Sequence, residues 1–71
     1  MKIKPGKYLH YKGKEYQVIG TAIHSETKEE MVVYLPLYDK RHLFVRPLKM
    51  FKEKVVVDGI KKPRFKFIGR A

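Results

Sequence analysis

The chain has 71 residues, a formal net charge of +10 and no cysteine. A chain this short buries only about 60% of the surface that its unfolded form exposes, so residues 1–71 form one small domain with no room for a deep substrate cavity. Without cysteine there are no disulfides and no thiolate metal sites, and the core must hold by packing alone.

The elements follow in chain order. Residues 7–11, "KYLHY", read as a first short strand, and a tight turn at Gly13 leads into a second over 15–23, "EYQVIGTAI". Gly20 interrupts that run and marks a bulge or bend. A polar loop follows, containing His24, Ser25, Glu26 and Thr27. Residues 31–38, "MVVYLPLY", form a third strand, with Pro36 expected near its end or on an edge because proline has no N–H to donate. Residues 43–46, "LFVR", form a fourth. "RPLKMF" reads as one helical turn with Pro47 at its first position. Residues 53–57 pair through Asp58-Gly59 with a final extended segment, "IKKPRFKFI"; Asp-Gly between apolar runs is the strongest local hairpin signal in the chain. No window repeats apolar residues at helical spacing. The class is therefore all-β: a small SH3-like barrel of five to six short strands with one short helical turn. An OB-like barrel or an open curled sheet are the alternatives.

The loop at 24–30 invites three chemical readings. Ser25 beside His24 resembles a nucleophile and its base, but neighbours in an extended chain point to opposite faces. No glycine-rich nest follows to supply oxyanion donors. His24 and Glu26 share a face at a spacing of two, and His10 and His42 could join them around a metal, yet no second-shell pattern accompanies them. The third reading is structural. Thr27-Lys28-Glu29-Glu30 matches a capping box, with Thr27 as cap and Glu30 reaching back. The loop is thus read first as a connection and second as one wall of a binding site. No catalytic residue, metal or cofactor is assigned.

Charge is unevenly spread. Residues 1–14 carry five lysines and no acid, residues 15–30 are net −3, residues 31–50 net +3 and residues 51–71 net +5. Such a field favours anionic partners, although the excess of lysine, 13 against 4 arginines, also serves solubility. Aromatic residues alternate along the strands. Val32, Tyr34 and Tyr38 share one face of the third strand and Met31, Val33, Leu35 and Leu37 the other. In the last segment Phe65 and Phe67 alternate with Arg64 and Lys66, a pattern that could make a basic stripe. Arg46, beside an aromatic, could fork onto a phosphate or carboxylate; its structural alternative is a salt bridge to Glu26, Glu29 or Glu30.

The runs "GKYLHYKGKEYQVIGTAIHSETKEEMVVYLPLY" and "LFVRPLKMF" resemble the bacterial domain-of-unknown-function family 1653. The resemblance rests on Tyr8, His10 to Gly13, His24 to Thr27, Val32 to Tyr34, Leu37-Tyr38, Val45 to Pro47, Met50-Phe51 and Pro63 to Phe65, nearly the whole chain. It implies a small, mainly β domain and carries no established activity, cofactor or partner. Members usually have tryptophan where this chain has Phe44, and often arginine where it has Leu9.

Together these features predict a non-catalytic binding module for an anionic ligand such as RNA or single-stranded DNA, through Tyr8, His10, His24, Glu26, Tyr34, Tyr38 and Arg46. A protein-interaction adaptor using the acidic 26–30 loop is the alternative, and a small hydrolase or modified-base pocket enzyme using His24 and Glu26 a third. The start of the chain lacks the apolar run of a signal peptide, and "MVVYLPLY" is far shorter than the ~20 residues of a membrane helix. A cytoplasmic monomer that does not enter a membrane is expected.

Overall fold

A computed structural model of the chain describes residues 3–70; Lys2, one of the five N-terminal lysines, lies outside the described residues. Seven strands and one helical turn follow one another: β1 (Gly6–His10), β2 (Glu15–Ile23), β3 (Glu30–Pro36), β4 (Phe44–Pro47), α1 (Leu48–Phe51), β5 (Lys54–Val57), β6 (Ile60–Pro63) and β7 (Phe65–Gly69). Five of them make an antiparallel sheet in the order β4-β3-β2-β1-β7, and β5 and β6 pair separately. The all-β class and the short helix agree with the sequence pattern. Strand pairing does not close the sheet, because β4 and β7 are its edges.

Register decides what the curled sheet encloses. Tyr8 lies opposite Tyr16, Val18 opposite Tyr34, Val32 opposite Arg46, Tyr34 opposite Phe44 and His10 opposite Phe65. Directly paired residues share a face, as do alternate residues along a strand. One face therefore carries Tyr8, His10, Tyr16, Val18, Val32, Tyr34, Phe44, Arg46, Phe65 and Phe67. In β2 the pairing shifts between Val18 and Gly20, the bulge that Gly20 announces; the extra residue, Ile19, is half exposed. Met31, Val33 and Leu35 take the other face, as the alternation predicts.

The core gathers Ile3, Tyr8, Val18, Val32, Tyr34, Leu48, Phe51 and Phe65, with Tyr16 packed against it. A four-residue helix is too short to stand by itself. It persists because Leu48 and Phe51, three apart, both turn into the core. Phe51 is 1% exposed, and its ring lies parallel to that of Phe65 at 4.1 Å with an interplanar angle of 3°. Pro47 precedes the helix as its cap residue and ends β4, so the helix starts at Leu48, one position later than the sequence reading placed it. Pro36 closes β3, where its missing N–H costs nothing.

The final segment is the main departure from the sequence reading. It is two strands in two different sheets, divided at Arg64. The Arg64 N–H donates to the Glu53 carbonyl at 3.0 Å, and its carbonyl accepts from the Tyr11 N–H at 3.0 Å. The Arg64 side chain is largely covered and pairs with Glu53 at 3.3 Å. It thus anchors the root of the β5–β6 arm and is not part of a solvent-facing stripe with Lys66. At the tip of the arm Asp58 and Gly59 have φ of 52° and 78°, the two left-handed residues that a type I′ turn requires.

The close approach at the start of β1 is equally demanding. Gly6 has φ +140°, and a Cβ there would lie 2.5 Å from the Gly69 carbonyl oxygen and 2.9 Å from a Phe67 ring carbon. Gly6→Ala is therefore expected to lose at least ~1–3 kcal/mol of stability, and Phe51→Ala ~3–5 kcal/mol. Urea unfolding followed by far-ultraviolet circular dichroism measures both; an unchanged midpoint for Gly6→Ala would show that the β1–β7 contact gives way freely.

Candidate binding surface at the open end of the sheet

The enclosed face is covered by α1 over part of its length and opens where β2 begins and β3 ends. Phe65 forms the floor there. Its ring centroid lies 4.9 Å from that of His10, 5.5 Å from Tyr16 and 5.7 Å from Tyr34, and 5.9 Å from the guanidinium carbon of Arg46. Tyr16 meets Tyr34 edge-on at 5.6 Å and Tyr38 at 6.0 Å, and Tyr34 meets Phe44 at 5.9 Å. Such edge-to-face contacts are the favoured arrangement of aromatic quadrupoles. The rim is exposed: Tyr38 is 60% and Phe44 42% accessible. Lys14 brings its ammonium 5.0 Å from the Tyr38 ring centroid.

Hydrogen bonds order this end. The Arg46 Nε donates to Tyr34 Oη at 3.3 Å, and the Tyr16 and Tyr38 hydroxyls lie 3.4 Å apart. The pKa of Tyr16 is pushed up to about 12, first by burial, then by its hydrogen bond and repulsion from Tyr38, against the attraction of Arg46. His10 is held below the usual histidine range by burial first, then by the positive charges of Arg64, Lys12 and Arg46. Its Nδ1 accepts the Lys12 N–H at 3.2 Å, which assigns the remaining ring proton of the neutral form to Nε2.

The structure brings together four of the seven residues singled out from sequence: His10, Tyr34, Tyr38 and Arg46. Tyr34 is only 5% exposed, so it supports Arg46 and presents no stacking face. Tyr8 shares the sheet face but sits in the core, its hydroxyl donating to the Lys4 carbonyl at 2.7 Å and its pKa raised, chiefly by burial. His24 and Glu26 lie beyond the far end of β2, whose last residue, Ile23, is seven residues from Tyr16, or roughly 23 Å along the strand.

That distant loop is a self-satisfied turn. The His24 N–H donates to the Glu29 carbonyl and the Lys28 N–H to the His24 carbonyl, both at 2.8 Å. His24 Nδ1 accepts the N–H groups of Glu26 at 3.1 Å and Thr27 at 3.3 Å. The imidazole therefore caps backbone and makes no dyad with Ser25. Thr27 Oγ1 accepts the Glu29 N–H at 3.2 Å, but no helix follows and Glu30 belongs to β3. A Ser/Thr turn thus replaces the capping box. Among the described residues no three His, Asp or Glu side chains converge as a metal site would require.

The sequence reading missed Tyr16, Phe44 and Phe65 as members of the cluster. A signal existed: Phe44 and Arg46 alternate like Tyr16 and Val18, and strand pairing places these positions on the same face.

These features define a small antiparallel β domain with an aromatic and cationic open end. The chain belongs to the family described as a protein of unknown function (DUF1653), which matches residues 6–67. It is also similar to a crystal structure of a protein of that family from Bordetella bronchiseptica, with 37% identity, a TM-score of 0.88, and coverage of 97% of this chain and 91% of that one. None of the curated proteins compared with the chain matches it.

The two shifted groups predict opposite pH limits. Unfolded tyrosine loses its proton near 10.0, whereas folded Tyr16 holds it to about 12, so this contribution to stability is complete below pH 10 and lost as pH rises towards 12. Unfolded histidine gains a proton near 6.5 while folded His10 resists, so stability falls as pH drops below 6.5. Melting temperatures across both ranges should show the alkaline loss reduced in Tyr16→Phe and the acid loss reduced in His10→Gln. Equal slopes in wild type and variants would remove these groups as the cause.

Proposed function

We propose that the open end of the sheet binds single-stranded nucleic acid, RNA or DNA, with Tyr38 and Phe44 stacking on bases and Arg46 and Lys14 meeting the backbone phosphates. The observation that carries this reading is a pair of exposed rings, Phe44 against Tyr34 and Tyr38 against Tyr16, around a Tyr34 hydroxyl that orients the Arg46 guanidinium. Bases of any sequence can stack on such rings, at ~1–3 kcal/mol per base. The guanidinium forks onto phosphate oxygens. A chain with net charge +10 attracts a polyanion from solution. Tyr34 acts through Arg46 as a positioning residue.

An adaptor role has one observation in its favour. Leu43 and Val45 are 62% and 60% exposed on and beside the edge strand β4, and such an edge can accept an extended peptide as an added strand.

Fluorescence anisotropy of labelled single-stranded RNA and DNA tests the first reading. Tyr38→Ala and Phe44→Ala should each weaken binding about 5- to 150-fold. Arg46→Ala should weaken it by at least about tenfold, and Tyr34→Phe by less, because only the orientation of the guanidinium is lost. Binding that falls with salt at a log–log slope of about −0.7 per phosphate, yet ignores all four substitutions, would reduce the interaction to lysine attraction and overturn the proposal.

A further inference from the structure

A separate depression of about 350 Å³ lies at the root of the β5–β6 arm, lined by Leu9, His10, Tyr11, Gly13, Lys62, Pro63 and Lys66. Leu9 and Lys66 are cross-strand partners on the face of the sheet opposite to that of Phe65. The depression therefore lies mainly on that opposite face, with His10 the one residue it shares with the aromatic end. Its walls are fastened to each other, since the Tyr11 N–H donates to the Arg64 carbonyl and the Arg64 N–H to the Glu53 carbonyl.

We propose that this cleft binds a flat ring carrying a phosphate, the chemistry of a 5′-nucleotide, with the ring against Tyr11, Leu9 and Pro63 and the phosphate between Lys62 and Lys66. The volume is at the lower end of the ~300–1,000 Å³ typical of small-ligand sites. Leu9 and Pro63 supply an apolar floor, and Tyr11 is a half-exposed ring. Two lysines reach the cleft from different strands and no carboxylate lines it. The Lys12 ammonium stands 5.8 Å from the Tyr11 ring centroid and adds a third cation. Of three other depressions, 230–280 Å³ in volume, the one lined by Ile3, Lys4, Tyr8, Phe51, Lys52 and Phe65 also joins rings and two lysines without a carboxylate, but its rings are buried in the core and present no free face; the other two carry no tyrosine or phenylalanine ring.

The cleft does not depend on nucleic-acid binding at the open end, and the test keeps the two apart. Nitrogen–proton correlation spectra would be recorded during titration with adenosine 5′-monophosphate, adenosine and inorganic phosphate. The monophosphate should shift Leu9, Tyr11, Gly13, Lys62 and Lys66 and bind at least about tenfold more tightly than either fragment, because it makes both sets of contacts. Lys62→Gln/Lys66→Gln should weaken it at least about tenfold, and Tyr11→Leu several-fold, with spectra that otherwise remain folded. Lys40→Gln/Lys49→Gln, which removes the same charge elsewhere, should change it less than twofold. Equal losses in the two double variants, or shifts centred on Tyr38 and Phe44, would overturn the cleft. Competition by a 5′-phosphorylated trinucleotide would show that the cleft takes the nucleotide at a strand end, and absence of competition that it takes the free mononucleotide; each outcome presupposes the tight monophosphate binding and supports the same chemistry. Loss of strand binding in Arg46→Ala with monophosphate binding intact would separate the two sites.

Discussion

The parallel contact between Phe51 and Phe65 is the constraint on which the rest of the domain depends. It joins the helical turn to the last strand across the core, two elements separated by the whole β5–β6 arm. A single helical turn cannot persist without tertiary contacts, and β7 is an edge strand with a neighbour on one side only. Each is thus held in place by the ring of the other. Phe65 also floors the open end, so the same packing that stabilises the fold sets the height at which Arg46, His10 and Tyr16 meet. Stability and site geometry are coupled through one side chain.

This coupling explains why the aromatic residues of the chain differ in role although they share one sheet face. Depth under α1 sorts them. Tyr8 and Tyr34 lie beneath the cover; the Tyr8 hydroxyl donates to the Lys4 carbonyl and the Tyr34 hydroxyl accepts from the Arg46 Nε–H. Tyr38 and Phe44 lie beyond it and keep their surfaces in solvent. A small domain has little apolar area to spare, so leaving two rings outside its core carries a cost in stability that the fold meets elsewhere. Lys14 over Tyr38 partly offsets it through its attraction to the ring face.

The parts of the structure that were legible in the sequence are those decided locally. Asp58-Gly59 fixes its turn by its own backbone preferences. Gly20 and Pro36 announce the bulge and the strand end. Alternation alone assigns Met31, Val33 and Leu35 to one face and Val32 and Tyr34 to the other. What remained hidden was decided by partners distant in the chain. The break at Arg64 exists because its peptide is held by Glu53 on one side and Tyr11 on the other, and nothing within "KKPRFKF" signals either. Period two places Tyr34 and Tyr38 together but says nothing of depth, which α1 decides. At 24–30 the pattern of a capping box was present, yet His24 won the competition for the free N–H groups because its imidazole lies directly over the turn.

Charge follows the same division between local sequence and assembled surface. The acidic segment and the basic ends are separate in the chain, but folding treats them differently. At one end of the β2–β3 hairpin Glu29 and Glu30 border a depression together with Lys49 and Lys52, so opposite charges meet and their fields largely cancel beyond a Debye length. Elsewhere Lys14 faces the exposed ring of Tyr38, Arg46 lies over the buried ring of Phe65, and Lys62 and Lys66 line a cleft without a carboxylate. The cations thus fall in two places, beside the open aromatic surface and on the sheet face opposite Phe65. On the proposed reading, charge would draw an anion towards the open end, and the rings and the oriented guanidinium would discriminate there. Lysine would then govern the rate of encounter, and the arrangement built on Phe65 what stays bound.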